Sequence, residues 1–160
     1  EEAKENAIEN NYSINVDFDW WAFTYDDAKN LGIKIQSFGL DRDKHCNIEF
    51  YDSAHEIADK ILKNHGEKCD TYQIAKQFLN DRDGLVHKYS DGVKTDVVLE
   101  DNECDFDNDC DELEEEFKNG LSNCYADILQ NESEYLTSYE AIKETLCSND
   151  YDFTEEGNIY

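Results

Sequence analysis

The sequence predicts an α+β fold: a single domain in which helices pack on a short antiparallel β-hairpin, followed by a long acidic amphipathic helix and a C-terminal helix with a small hairpin. Three observations carry this expectation. Apolar residues recur at helical spacing in several segments bounded by capping residues and glycines. Two short segments near residue 40 alternate apolar and polar residues, as half-buried strands do. A content of 39% hydrophobic and 12% aromatic residues lets a 160-residue chain bury a core, which a disordered acidic tail cannot do. With no proline and no internal repeat, nothing marks a linker.

The elements follow in order. Residues 1–15 are polar, rich in Glu and Asn, and are expected to be frayed or weakly helical. A helix is expected from Asp19 as N-cap, with Phe18 and Phe23 spaced for a hydrophobic staple, Trp21, Tyr25, Ala28 and Leu31 inward, and Gly32 closing it. Ile33, Ile35, Phe38 and Leu40, then Cys46, Ile48 and Phe50, read as a hairpin, with a change of phase near Ser37 and Gly39 that suggests a bulge. Ser53 and Glu56 form a capping box ahead of the stripe Ala54, Ile57, Ala58, Ile61 and Leu62, and Gly66 ends that helix. A further helix starts near Asp70, with Ile74, Ala75, Phe78 and Leu79 inward.

This N-terminal part spans 16–83, an irregular acidic connection 84–110, and a C-terminal acidic helical part 111–160. Within the connection Val93, Thr95, Val97 and Leu99 alternate, which allows a strand. Leu113, Phe117, Leu121, Cys124, Ile128 and Leu129 then share one face of a long helix. Thr137 with Glu140 caps the last helix, and Glu155 to Asn158 turn between Phe153 and Ile159.

The formal charge is −26, unevenly distributed: residues 1–80 carry 16 acids against 9 bases, residues 81–160 carry 24 against 5. Such a field repels nucleic acid and anionic membranes and attracts basic partners at low salt. Direct nucleic-acid binding, which needs basic patches with interleaved aromatics, is therefore not expected. No apolar run reaches the length of a membrane span and no signal-peptide pattern opens the sequence, so a cytoplasmic protein is expected. The six cysteines form no C-x-x-C pair and are expected as reduced thiols, with Cys124 and Cys147 at apolar helix positions as small core residues.

The charge concentrates in 101–116, DNECDFDNDCDELEEE, where Asp101, Glu103, Asp105, Asp107, Asp109, Asp111, Glu112, Glu114, Glu115 and Glu116 occur without one Lys or Arg. Like charges at this density weaken a compact state unless something outside the chain compensates them. As a helix the run would span roughly 24 Å, about one carboxylate per 2.4 Å, against about one phosphate per 1.7 Å of duplex DNA. Asp127, Glu132, Glu134, Glu140 and Glu144 extend the acidity, and from residue 101 onward there are 19 acids and 2 bases. Most charge runs are solvated helix faces. The bias to one sign favours instead a surface that meets a basic partner.

Asp105, Asp107, Asp109 and Glu116 also fall at positions 1, 3, 5 and 12 of an EF-hand calcium loop. Cys110 replaces the turn glycine, however, and no clear helix enters the loop. His65 with Cys69, and Cys104 with Cys110, lack the convergence of four ligands that zinc requires, and His65 continues an apolar stripe as a structural histidine would. Asp41 and Asp43 flank Arg42 in a D-x-D expected to be a solvated turn. With no nucleophile elbow, P-loop or dinucleotide fingerprint, the expectation is a protein without catalytic residues or cofactor.

Two stretches, FDWWAFTYDDAKNLGIKIQSFGLDRDKH and EYLTSYEAIKETLCSNDYDFTEEGNIY, resemble segments of small acidic proteins carried by bacteriophages and mobile elements. They cover about a third of the chain. In size, acidity and lack of enzyme motifs the chain is also similar to phage counter-defence inhibitors, the antirestriction and anti-CRISPR proteins, several of which imitate nucleic acid. The resemblance implies an inhibitor acting in the host cytoplasm on a basic nucleic-acid-binding defence protein, through the carboxylates of 101–116. An antitoxin-like partner of a basic toxin and a calcium-binding acidic module are the alternatives. The oligomeric state is left open, a dimer included.

Overall fold

A computed structural model describes residues 2–89 and 103–160, with side chains from residue 105 in the second segment. Among these residues are helices α1 (Glu2–Asn10), α2 (Ala22–Asn30), α3 (Ala54–Asn64), α4 (Asp70–Tyr89), α5 (Glu103–Leu136) and α6 (Tyr139–Ser148). Strands β1 (Ile33–Gly39) and β2 (His45–Phe50) form a two-stranded antiparallel sheet, joined through a 3-10 turn at Asp41–Asp43. The expected α+β class is observed. The chain forms two compact units, residues 25–126 and, from its two ends, residues 1–24 with 127–160.

In the central unit the hairpin is built as its alternation predicts. Ile33, Ile35, Cys46 and Ile48 are buried on one face, and the register shifts between Ile35 and Ser37, so the bulge falls at Gln36. Gly32 ends α2 at φ +88°, and a Cβ there would run into the carboxylate of Asp52, which pairs with Lys60. Only glycine satisfies both the left-handed backbone and the close approach. α3 has both halves of the capping box, with Glu56 N donating to Ser53 Oγ at 3.3 Å and Ser53 N to Glu56 Oε2 at 3.4 Å. Along its apolar stripe Ala54, Ile57, Ala58 and Ile61 are buried and Leu62 is half-buried. The turn from α3 into α4 packs these two helices together, and α5 lies against α4 and β2. Phe117 stacks on Phe78 with centroids 4.4 Å apart and tilts against Phe50 at 5.8 Å. At Gly120 α5 leaves little room beside α4, since a Cβ there would lie 3.3 Å from Ile74 Cγ2. Ser122 Oγ donates to the carbonyl of Cys46.

The unit formed by the chain ends has its own cluster: Ala7 and Ile8 of α1 against Ile142 and Leu146 of α6, with Ile14, Phe153 and Ile159 packed around them. Phe153 and Ile159 pair as the expected small hairpin. Its turn places Gly157, at φ +85°, against the backbone of Asn6 and Ala7, and Asn10 Nδ2 donates to Glu156 O at 2.8 Å. Asn15 is buried and bonded through both ends of its amide, donating to Leu136 O at 2.9 Å and accepting from Thr145 Oγ1 at 2.7 Å.

Several expectations are corrected. The N-terminal segment is a helix held by α6, because apolar residues otherwise exposed gain cover there. α2 starts at Ala22, three residues after Asp19, and Phe18 and Phe23 are 62% and 86% exposed, so there is no staple. Trp20, packed edge-on to Trp21 at 5.6 Å, is the buried tryptophan. α4 continues to Tyr89, and α5 is helical from Glu103, so the described ends of the expected irregular connection 84–110 are helical. The possible strand Val93–Leu99 lies outside the described residues. On α5, Ile128 is exposed while Tyr125 is wholly buried. The cap of α6 is Ser138, whose Oγ accepts from Ala141 N at 3.3 Å, while Thr137 Oγ1 donates back to Ser133 O at 2.8 Å.

Cys46, Cys69, Cys110, Cys124 and Cys147 are reduced thiols; Cys124 is buried as expected, but Cys147 is exposed. Burial pushes the Cys46 thiol up to about 11 from 9.0. The buried phenol of Tyr125 is raised too, by burial first and then by Asp27. A thiol that keeps its proton in the folded chain and loses it in the unfolded chain contributes stability below pH 9.0, lost as pH rises towards about 11. The urea midpoint is therefore expected to fall between about pH 8 and about pH 10.5, and Cys46→Ala to flatten that fall. An equal fall in both proteins would assign the alkaline sensitivity elsewhere.

Candidate functional site

The acidic run is helical from Glu103 onward, which sets the directions of its carboxylates. At about 100° per residue they form two rows. Asp105, Asp109, Glu112 and Glu116 make one, and Asp107, Asp111, Glu114 and Glu115 the other. The remaining arc carries Phe106, Cys110, Leu113 and Phe117. Seven of these eight carboxylates are exposed and Asp109 is half-buried. They occupy a rise of about 16 Å, about one charge per 2 Å of axis. Asp101 lies outside the described residues, and Glu103 is placed by its backbone alone.

Asp109 ties the start of α5 to the end of α4. It accepts from Tyr89 Oη at 2.7 Å and from Lys88 Nζ at 3.3 Å. These two hydrogen bonds, Tyr89 first, hold its carboxyl below the usual aspartate range. Tyr89 also meets Phe106 edge-on at 5.9 Å, and Lys88 lies 4.7 Å from the Tyr89 ring centroid. Between α4 and α5 a groove of about 490 Å³ is lined by Asn80, Asp81, Gly84, Leu85 and Lys88 on one side and Asp109, Glu112, Leu113 and Glu116 on the other.

The calcium-loop spacing does not survive the fold. Asp105, Asp109 and Glu116 lie on one side of a continuous helix and Asp107 on the opposite side, whereas an EF-hand loop wraps its ligands around a single ion. Among the described residues no group of three or more His, Cys, Asp or Glu is placed to hold a metal. Asp41 and Asp43 are exposed in the 3-10 turn, with Asp41 at φ 56°.

His65 is the structural residue expected. Its Nδ1 lies 2.5 Å from Thr71 Oγ1, and its Nε2 lies 3.0 and 3.2 Å from the carboxylate oxygens of Asp27. Tyr125 Oη donates to the same carboxylate at 3.5 Å. An Asp–His–Thr array invites a catalytic interpretation, but Thr71 is only 3% exposed and no substrate carbonyl can reach its hydroxyl. The array instead fastens α2, the end of α3 and the start of α4.

Exposed aromatics were the feature least visible in the sequence. Tyr12, Phe18, Phe23, Tyr135 and Tyr139, all in the unit made from the chain ends, are at least half exposed. The spacing of Phe18 and Phe23 suggested a hydrophobic staple, and only tertiary placement reveals that both are exposed. In class the molecule is thus a small, strongly acidic α+β protein with a carboxylate-bearing helix. Comparison with known proteins finds no matching family model, curated protein or solved structure. No helix among the described residues is long and apolar enough to cross a membrane.

Proposed function

We propose that this protein is a non-enzymatic inhibitor of a bacterial nucleic-acid-binding defence protein, and that α5 occupies the Lys- and Arg-lined channel that otherwise holds nucleic acid. The observation carrying this reading is the density of exposed carboxylates on α5, seven over about 16 Å or about one per 2.4 Å of axis, against about one phosphate per 1.7 Å of duplex. Carboxylates point in two directions from one rod, as phosphates do from a duplex, so a channel can engage it from two walls. Charge alone gives attraction more than selectivity. Selectivity needs apolar or aromatic anchors beside the carboxylates.

The test is a pull-down with the tagged full chain from bacterial lysate, with and without nuclease, eluted by a salt gradient. The expected outcome is a basic nucleic-acid-binding effector, captured better after nucleic acid is digested and released as salt rises. Capture of a small basic toxin, indifferent to nuclease, would replace this reading by the antitoxin-like one. Capture unaffected by salt would remove the acidic helix from the mechanism.

A further inference from the structure

The groove between α4 and α5 has a chemistry of its own. Leu85 and Leu113 give it an apolar floor, while Asp81, Glu112 and Glu116 line it with carboxylates. Lys88 is already directed to Asp109 at 3.3 Å, so the cation among the lining residues is committed to one carboxylate. Asp81 accepts from Gln77 Nε2 at 2.8 Å, a neutral donor that leaves its charge in place. Four lining acids against one lysine leave a strongly negative slot.

A second observation concerns Gly84, which sits in the middle of the α4 face lining the groove. It is helical, its φ is not in the left-handed region, and a Cβ built there would meet nothing within 4 Å. Glycine inside a helix is less favourable than alanine. The surrounding fold offers no steric reason for it, in contrast to Gly32, Gly120 and Gly157. Its effect is to keep the groove open where a side chain would partly fill it.

We infer that this groove receives an arginine side chain of the protein partner. The inference rests on the proposed function and adds to it a defined point of insertion. The aliphatic stem of arginine lies on Leu85 and Leu113, removing apolar surface from water on both sides. The guanidinium reaches Glu112 and Glu116, one turn apart on α5, with paired N–H donors whose planar geometry suits carboxylates. Lysine, a compact and strongly hydrated point charge, gains less from an apolar-floored slot. A metal ion is disfavoured by the absence of a converging ligand group among the described residues, and nucleic acid by the sign of the field.

The experiment titrates the full chain with a fluorescent oligoarginine peptide, and with oligolysine and glycine–serine peptides of equal length, at low salt. Three variants are compared with the parent: Gly84→Leu, which fills the groove and removes no charge; Glu112→Gln with Glu116→Gln on its rim; and Glu114→Gln with Glu115→Gln in the other row. Gly84→Leu also favours the helix, so its far-UV spectrum and Tm serve as the folding check. The expected result is a loss of about tenfold in oligoarginine affinity for Gly84→Leu, a larger loss for the rim pair than for the other pair, and weaker binding of oligolysine. Parental affinity in Gly84→Leu, with equal losses for both charge pairs, overturns the groove and leaves α5 acting as a diffuse charged surface. Failure of the parent to bind oligoarginine at low salt overturns the groove and the proposed function together.

Discussion

Phe117→Ala is expected to destabilise the protein by about 3–5 kcal/mol, a large part of the roughly 5–15 kcal/mol that holds a domain of this kind together. Phe117 is 3% exposed and meets two rings at once, stacked on Phe78 and tilted against Phe50. Removing it opens a cavity where α5 lies on α4 and the hairpin, and no neighbouring side chain is long enough to refill it without leaving its own contacts. Urea denaturation measures the effect directly. Phe23→Ala is the matched control: with 86% of its surface exposed, Phe23 should change stability by less than about 0.5 kcal/mol. Similar losses for the two variants would mean that Phe117 does not anchor α5.

The combined variant Asp105→Asn, Asp107→Asn, Glu112→Gln and Glu114→Gln is expected to bind the partner on the order of 100-fold more weakly at low salt, because four charge contacts are lost from both rows of α5. Its plot of log affinity against log salt should be shallower by roughly one unit per charge that faces the partner, as for contacts between lysine and phosphate. Stability should hold or rise slightly. Relief of self-repulsion opposes a modest loss at the helix start, where Asp105 favours the positive end of the helix dipole. Calorimetric titration at several salt concentrations gives affinity and slope together. Unchanged affinity would show that the partner contacts some other surface.

Much of the fold was legible where local chemistry decides it. The capping box at Ser53 and Glu56, the alternation of Ile33, Ile35, Cys46 and Ile48, and the turn between Phe153 and Ile159 depend on neighbours within a few residues. What escaped depends on distant partners. Glu2–Asn10 is weak as an isolated helix and is held by α6, more than 130 residues away, and Trp20 rather than Trp21 turns inward because α2 begins late. Ile128 and Tyr125 are both compatible with an amphipathic stripe, and the carboxylate of Asp27 near Tyr125 Oη is absent from any local pattern. The acidic run was visible from composition alone. Its helicity ahead of residue 111 was not, since Asp and Asn are modest helix formers. Without the helix phase, neither the two carboxylate rows nor the groove beside Gly84 can be inferred.

The arrangement of the two units constrains the order in which the chain can be assembled. Residues 25–126 form one continuous stretch, so every contact of the central unit is available once that stretch has left the ribosome. The other unit joins residues 1–24 to residues 127–160, and its cluster of Ala7 and Ile8 with Ile142, Phe153 and Ile159 cannot close until Ile159 has been made. α1 is made before the central unit and can dock only after it. Until then its apolar face has no cover, while the loop to be closed, from Ile8 to Ile142, is long and carries a correspondingly high entropic cost. A unit that closes late benefits from charge in the meantime: a net charge of −26 over these 160 residues makes copies repel one another during the interval when that face is bare.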